Sequence, residues 1–440
     1  MPNNILPKGI TPEILQNNWD TASREYQKAF RRVRLLDATD RGRLWESIKA
    51  TFPKYQLLPD TNHVSYIKNN LLAGIYTVGK SAQLMPTTKE DMEIIMQQNI
   101  FLEHYWGLAN VSYYQMLAGE RAALCNLGIT QVGWDAQVSG GSKDYFFKGN
   151  VTLKNIDPIQ FMRDPFSSDI KTAAYCMTWD VLHKSTLKKN PLYKDTIDAA
   201  MAKTNAGFAN PPTEALRDRP YDSQAMTQKD YGNVIVQWIR DGEKIHEIHT
   251  LNNTEILHVR ENIQPSAMPF APLYCNLASG DLIGTSEPAK IFSNSVAYNL
   301  LNSILLTAEY KNQRPPRFVN AQSGLNLASF VKNGNEADYT FVVNGMANNA
   351  VHYHQFPTPS PNAPGMMIAL NRDIQEVTGV DARYTGRDTG SLQTTGGIET
   401  MLDQATLIDA PKIANYEEYT RRLTQLIMDN FMAFGNKRSY

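Results

Sequence analysis

Apolar positions repeat at helical spacing at both ends of this chain and alternate at period two between them, which predicts helices packed on a sheet built from the middle of the sequence. Residues 12 to 36 place Ile14, Leu15, Trp19, Ala22, Tyr26, Phe30 and Val33 on one helix face, with Arg24, Lys28, Arg31, Arg32 and Arg34 largely on the other. A turn at Asp37-Ala38-Thr39-Asp40 and a short helix from about Arg41 to Phe52 follow. His63 to Val78 carries Val64, Ile67, Leu71, Leu72 and Ile75 at helical spacing. Thr88 with Asp91 three residues on predicts the cap of a helix running to about Tyr105. Gly107 interrupts it before a continuation through Tyr113, Tyr114, Leu117 and Ala122 to Cys125.

The period changes at Ile129. Ile129 to Trp134, Tyr145 to Lys148, Val151 to Ile156 and Ala174 to Leu182 read as strands, with Asp157-Pro158 and Asp164-Pro165 at turns. A helix from Tyr193 to Lys203 and an irregular insert from Ala206 to Asp230 come next. Val234 to Arg240, Ile245 to Thr250 and Glu255 to Val259 then form an antiparallel meander closed by Pro265 to Pro272. The fold class is α+β.

From Gly280 to Pro316 a long amphipathic helix is predicted. Ser286 caps it, Pro288 sits in its first turn, and Ile291, Leu300, Leu301, Ile304, Leu305 and Ala308 recur until Arg314-Pro315-Pro316 stops it. In a single compact enzyme such a stretch would be a core helix. Here a further β-like segment follows, with Phe318-Val319 and Tyr339 to Val343 between Arg314-Pro315-Pro316 and a second breaker at Phe356 to Gly365, as in a small protruding subdomain. Met367 to Val377 is a modest helix. A last long helix starts near Ile398, carries Met401, Leu402, Ala405, Leu407 and Ile408, bends near Pro411 and continues through Tyr416, Tyr419, Leu423, Leu426 and Phe431.

Composition narrows the function more by exclusion than by indication. With 440 residues the chain can bury a large core and divide into several domains. Its 43 Lys+Arg against 44 Asp+Glu leave no basic field of the kind that grips phosphates along a whole face. Cys125, Cys176 and Cys275 lie far apart without a CxxC, which argues for a reducing compartment and against a zinc site. The N-terminus reads as no signal peptide, and no apolar run approaches the ~18 residues of a membrane span. Tyr, Met and Trp are plentiful, which suits large subunit interfaces as well as plain cores. Dinucleotide, P-loop, HExxH, GxSxG and calcium-loop patterns are missing. The spacings of His246/His249 and His352/His354 suit a metal but lack a third ligand nearby, so neither a metal nor a cofactor is expected.

The most unusual stretch runs from Gly379 to Gly397. Gly379, Gly386, Gly390, Gly396 and Gly397 make it cheap to rearrange, while Arg383, Tyr384 and Arg387 are its large or basic side chains, with Thr389 and Ser391 among its hydroxyls. On the inner wall of a ring such a loop would touch phosphates weakly without reading bases.

In this order the features resemble the portal protein family of tailed bacteriophages. They are Asn69-Asn70-Leu71, the helices from Lys89 to Leu124 feeding Gly128 to Trp134, Ile156-Asp157-Pro158 with Arg163-Asp164-Pro165, Gly284-Thr285-Ser286 opening a helix that ends at Pro315-Pro316, and Gly365 through Ile374 to Val380. The resemblance implies a dodecameric ring at one capsid vertex that passes double-stranded DNA. It implies a wing (1–280), a first stem helix (281–314) with Ile291, Leu300, Leu301, Ile304 and Leu305, and a clip (315–361) with Arg317, Phe318, His352 and His354. A second stem helix (362–379), a tunnel loop (380–397) bearing Arg383, Tyr384, Arg387, Thr389 and Ser391, and a helix (398–440) leading toward a short or truncated crown complete it. Implied partners are other copies of the chain, the major capsid protein and scaffold, the terminase large subunit and head-completion or tail-adaptor proteins, with no membrane. Two alternatives stay open: another structural head or tail-adaptor component, and a nucleic-acid-processing enzyme using Asp157, Asp164, Asp381 or Asp388.

Overall fold

A computed structural model of the chain describes residues 6–46, 48–54, 56–76, 83–86, 91–141, 146–203, 231–261, 267–277, 281–313, 315, 317–333, 340–344, 350–353, 359–378 and 395–434. They form two compact units, one spanning Met1–Leu44, Asn62–Phe292 and Gln375–Tyr440, the other Trp45–Thr61 and Ser293–Ile374.

The first unit opens with α1 (Pro12–Asp40), whose cap Thr11 accepts from the Ile14 amide and whose first position is a proline that has no N–H to leave unpaired. The expected turn at residues 37–40 is instead the last turn of this helix. Asp37 is paired by Arg41, the residue that caps the helix end, at 2.9 Å and by the distant Arg121 at 2.9 Å, which favours keeping this turn helical. Next come α2 (His63–Leu71), continued by one wide turn over Leu72–Tyr76, α3 (Met92–Leu108) and α4 (Val111–Cys125). The break between α3 and α4 falls at Asn110, left-handed at φ 52°, and not at Gly107, which stays helical. The expected cap residue Thr88 lies outside the described residues, and Asp91 makes no side-chain cap bond.

Two antiparallel sheets follow. In the first, β1 (Leu127–Gly141) lies between β2 (Phe146–Ile156) and β8 (Phe270–Tyr274). Gly128 is required there, because a Cβ would sit 2.0 Å from the Ala118 carbonyl oxygen of α4. The segments expected as two strands, 145–148 and 151–156, are the single strand β2, and the proline-bearing stretch expected to close the meander is the strand β8. Being an edge strand, β8 tolerates Pro272.

The second sheet is a meander, β3 (Phe161–Arg163), β4 (Tyr175–His183), β5 (Tyr231–Asp241), β6 (Lys244–Leu251) and β7 (Glu255–Glu261) in spatial order. Between β4 and β5 lie α5 (Lys184–Lys189) and α6 (Ile197–Lys203) where one helix over 193–203 was expected. Asn190 turns the chain by accepting from the Leu192 amide at 3.0 Å, and Pro191 has no amide to give. The insert at 206–230 lies outside the described residues.

The apolar face of α1 closes this core. Leu15, Trp19 and Phe30 join Met162, Trp179, Trp238 and Phe270, and Phe270 meets Trp238 and Phe161 edge-on at 4.8 and 5.0 Å. Each such fully buried side chain contributes on the order of 1.5–3 kcal/mol.

A long helix α7 (Glu287–Gln313) starts in the first unit and supplies its residues from Ser293 onward to the second. The second unit also contains β9 (Arg317–Val319), α8 (Leu327–Asn333), β10 (Val351–Tyr353) and most of α9 (Ala363–Thr378). The helix expected over 41–52 is a run of turns with one 3-10 turn at Lys49–Thr51. Trp45 swings out to donate to the Pro59 carbonyl at 2.7 Å and to meet Phe52 edge-on, which a helix would not allow. β9 pairs with β10. Of the strand expected over 339–343, Thr340–Val343 is described and belongs to no strand, while Phe341 packs on Phe330. Ser360 starts α9 earlier than Met367 by accepting from Asn362 and Ala363.

Back in the first unit, α10 (Thr395–Phe434) takes Gly396 and Gly397 into its opening turn, where a loop was expected, and passes through Pro411 without ending.

Candidate functional site

The root of α7 is built from three ties within the first unit. Asn126 ends α4 in the left-handed region at φ 75°, which leaves its side chain pointing back across the chain. There Nδ2 donates to the carbonyls of Asn276 at 2.9 Å and Ile283 at 2.7 Å, and Oδ1 accepts from the Asn276 amide. Ser286 accepts from the Ala289 amide, as expected of its cap, and donates its own proton to the Leu124 carbonyl at 2.8 Å. Finally Glu287 and Asp409 of α10 share the buried Lys412, at 3.8 and 2.9 Å, and Lys290 lies 2.9 Å from Glu287. Burial alone would push the Lys412 pKa down, but the bond to Asp409 and both carboxylates push it up, so it stays charged.

Beyond its root α7 is packed inside out. Asn299, Ser303 and Thr307, one turn apart, are buried, whereas Leu300, Ile304, Leu306 and Tyr310 are exposed, Ile304 by 50%. The polar row holds the segment from Gln56 to Thr61 as a strap. Asn299 brackets Thr61 by accepting from its amide at 2.6 Å and donating to its carbonyl at 3.1 Å. Ser303 accepts from Gln56 Nε2 and donates to the Leu57 carbonyl, and Thr307 accepts from the Leu57 amide at 3.0 Å. The amide and carbonyl of both Leu57 and Thr61 are thus satisfied by three side chains of one helix. Of the five residues expected to define this helix, Ile291 is buried, Leu301 and Leu305 are half-buried, and Leu300 and Ile304 face outward.

The helix α9 has still less support. Among its residues Ala363, Ile374 and Thr378 are buried, while Met366, Ile368 and Val377 are exposed, Ile368 by 72%. A 16-residue helix so uncovered is marginal by itself in water.

Of the expected clip residues, Phe318 pairs across the short ladder with His352, both exposed, and the Arg317 guanidinium lies 5.2 Å over the Phe330 ring. His354 lies outside the described residues, as do Gly379, Arg383, Tyr384, Gly386, Arg387, Thr389, Gly390 and Ser391.

The residues proposed for an enzyme find local duties. Asp157 accepts from the Ile159 amide and faces Arg121 at 3.5 Å, and Asp164 accepts from the Phe166 amide. Asp381 and Asp388 lie outside the described residues. His246 and His249 sit three residues apart on β6 and so face opposite sides. His249 lies between the Tyr193 hydroxyl and the Glu247 carboxylate at 2.6 Å each, and Arg260 approaches Glu247 at 2.9 Å. Burial alone would raise the Glu247 pKa, but His249 and Arg260 together pull it down to about 2. This chain of polar groups fastens the turn at Tyr193, just before α6, to the meander. Among the described residues no group of three metal-ligating side chains gathers, and no helix is long and apolar enough to cross a membrane.

Helices and sheets together define the class, an α+β protein, in which α7 and α9 leave apolar residues exposed. Residues 114–409, from within α4 to within α10, match the family described as phage SU10 portal protein, and the chain belongs to that family. It is a structural portal protein of a tailed phage, a head-tail connector without enzymatic activity, which assembles as an oligomer with other phage proteins in the virion capsid. No individually curated protein matches the chain.

Proposed function

We propose that twelve copies of this portal protein close into a ring at one capsid vertex, and that double-stranded DNA enters and leaves through its centre. The observation that carries this reading is the reversed packing of α7, which buries Asn299, Ser303 and Thr307 and exposes Leu300, Ile304, Leu306 and Tyr310. Apolar side chains on a helix whose own chain offers them no cover gain stability only against another surface. A cyclic assembly supplies each protomer with two different ones. The uncovered α9 has the same need.

In this reading residues 1–280 are the wing, 281–314 and 362–379 the stem, 315–361 the clip and 380–397 the tunnel loop. Glu287, Asp409 and Lys412 join the first stem helix to the helix that follows the loop. Arg383 and Arg387, with Tyr384, Thr389 and Ser391, touch phosphates weakly as DNA passes, in keeping with a chain of net charge -1 that has no broad basic face. The clip residues Arg317, Phe318, His352 and His354 meet the terminase large subunit and later the head-completion or tail-adaptor proteins. The wing meets the major capsid protein and scaffold.

Native mass spectrometry with a symmetry-resolved image of the purified protein tests the ring. A twelvefold particle with an axial hole is expected, and Leu300→Lys with Ile304→Lys should leave folded protomers that no longer close. A wild-type protein that stays a single chain would overturn it. Arg383→Ala with Arg387→Ala should keep the ring and alter DNA packaging or retention; loss of the ring would make these arginines interface residues instead.

A further inference from the structure

In the first unit a cavity of about 250 Å³ opens between β8, the turn at residues 163–171 and α10. This is well over ten times the ~10–15 Å³ that one water requires. Its wall includes two buried arginines that make no salt bridge among the described residues. Arg163, 1% exposed, donates to the Asp281 carbonyl at 3.1 Å and meets the Tyr26 hydroxyl, yet its Nε is buried without a partner. Arg422 is 8% exposed and donates to the Met268 carbonyl at 3.1 Å. Neither guanidinium has a carboxylate within ion-pair distance among the described residues. Beside them the Tyr274 hydroxyl is buried and unpartnered. Burial pushes the Tyr274 pKa up to about 12, so it keeps its proton and can donate it. Asp429, Asp169 and Glu418 act on Arg422 only from beyond ion-pair distance, and burial outweighs them by lowering its pKa, so a buried cation short of a direct anion sits here beside an open space.

We propose that this cavity binds a carboxylate carried on an apolar stem. The charge of the wall selects the ligand's charge. Arg163, Lys171 and Arg422 contribute three positive charges and Asp169 and Glu418 two negative ones, a net of +1. Glu418 is already committed to Arg421 at 2.6 Å and Lys171 at 3.3 Å. A monoanion therefore neutralises the site, whereas a phosphate dianion would leave an excess negative charge beside Asp169 and Glu418. Phe270, Pro272 and the exposed Leu277 provide the apolar wall for the stem. A guanidinium binds a planar carboxylate through paired N–H donors, and the Tyr274 hydroxyl adds a third. The carboxylate has two possible sources, a free small acid or an acidic side chain of a polypeptide, and the recognition is common to both.

Isothermal titration of the assembled protein with hexanoate, inorganic phosphate and hexylammonium at constant ionic strength tests the site. Saturable binding of one hexanoate per protomer is expected, with phosphate at least tenfold weaker and hexylammonium silent. Arg422→Gln should weaken hexanoate by about tenfold or more and Tyr274→Phe by about fivefold, as loss of a charged and a neutral donor predicts. Because Tyr274→Phe removes a hydroxyl that has no partner, it keeps the test valid even if the arginine variant fails to fold. A capped Ala-Glu-Leu peptide compared with its Gln counterpart separates the sources. Tighter binding than hexanoate that is lost with Gln assigns a polypeptide carboxylate, and affinity no better than hexanoate assigns a small acid. Absence of saturable hexanoate uptake, equal binding of phosphate, or hexanoate affinity unchanged by Tyr274→Phe would overturn the proposal.

Discussion

Helices α10 and α7 treat their apolar residues in opposite ways. Along the second half of α10, Tyr416, Tyr419, Leu423, Leu426 and Ile427 are buried, and Tyr419 reaches Thr130 of β1 at 2.8 Å. Its end carries Phe431, whose ring meets those of Phe101 and Tyr105 edge-on at 4.7 and 4.8 Å. Along α7 beyond its root, the chain buries Asn299, Ser303 and Thr307 and leaves Leu300 and Ile304 in contact with water. The difference teaches that one helix is stabilised by its own chain and the other is held in place by it while its apolar side is kept for something else.

That contrast can be broken most forcefully in α10. Ile427→Asp places a charge at a fully buried position with no basic residue one turn away on α10, and should cost about 4 kcal/mol or more, read as loss of cooperative unfolding or of soluble protein. The next effect concerns the charge that the first unit does bury. Glu247, held at about 2 against its usual 4.5, contributes stability that is present above pH 4.5 and is lost as pH falls toward 2. Glu247→Gln should therefore flatten the decline of wild-type stability between pH 4.5 and 2 by about one proton's worth, measured by chemical denaturation across that range. An equally steep decline in the variant would show that other carboxylates carry it.

Smaller again is the strap. Asn299→Leu keeps the helix but strands the Thr61 amide and carbonyl, at a cost of about 1–3 kcal/mol. Hydrogen exchange should show faster exchange at Thr61 and Leu57 with little change in the meander. The smallest effect sharpens the comparison from the other side. Ile304→Lys, chemically as drastic as the change in α10, should move protomer stability by no more than about 0.5 kcal/mol, measured on dissociated protein by thermal unfolding. A loss comparable to Ile427→Asp would mean that α7 is an ordinary core helix.

Much of the first unit was legible because its elements obey local rules. The face of α1 from Leu15 to Val33, the alternation of β1 and the three meander strands follow from side-chain period. Ser286 caps α7 as its position before Glu287-Pro288 predicts. Errors fell where a distant partner overrode a local signal. Arg121 sits 84 residues from Asp37 and helps keep residues 37–40 helical. Trp45 was drawn from a helix by Pro59. Of the functional elements, the apolar repeat of α7 is visible in the sequence, whereas the role of the row Asn299, Ser303 and Thr307 is not. Polar residues at that spacing are detectable, and what they hold is not.

By itself the sequence determined the period of most elements of the first unit, the Ser286 cap of α7 and the family order that marks a portal protein, since these depend on neighbours within a few residues. Only the tertiary structure decided which side of α7 is buried, that Asn126, Ser286 and Lys412 fix its root, and that Arg163, Arg422 and Tyr274 converge on one cavity. The physical reason is that burial and pairing depend on residues brought together from more than a hundred positions apart, and no local pattern encodes the other half of such a contact.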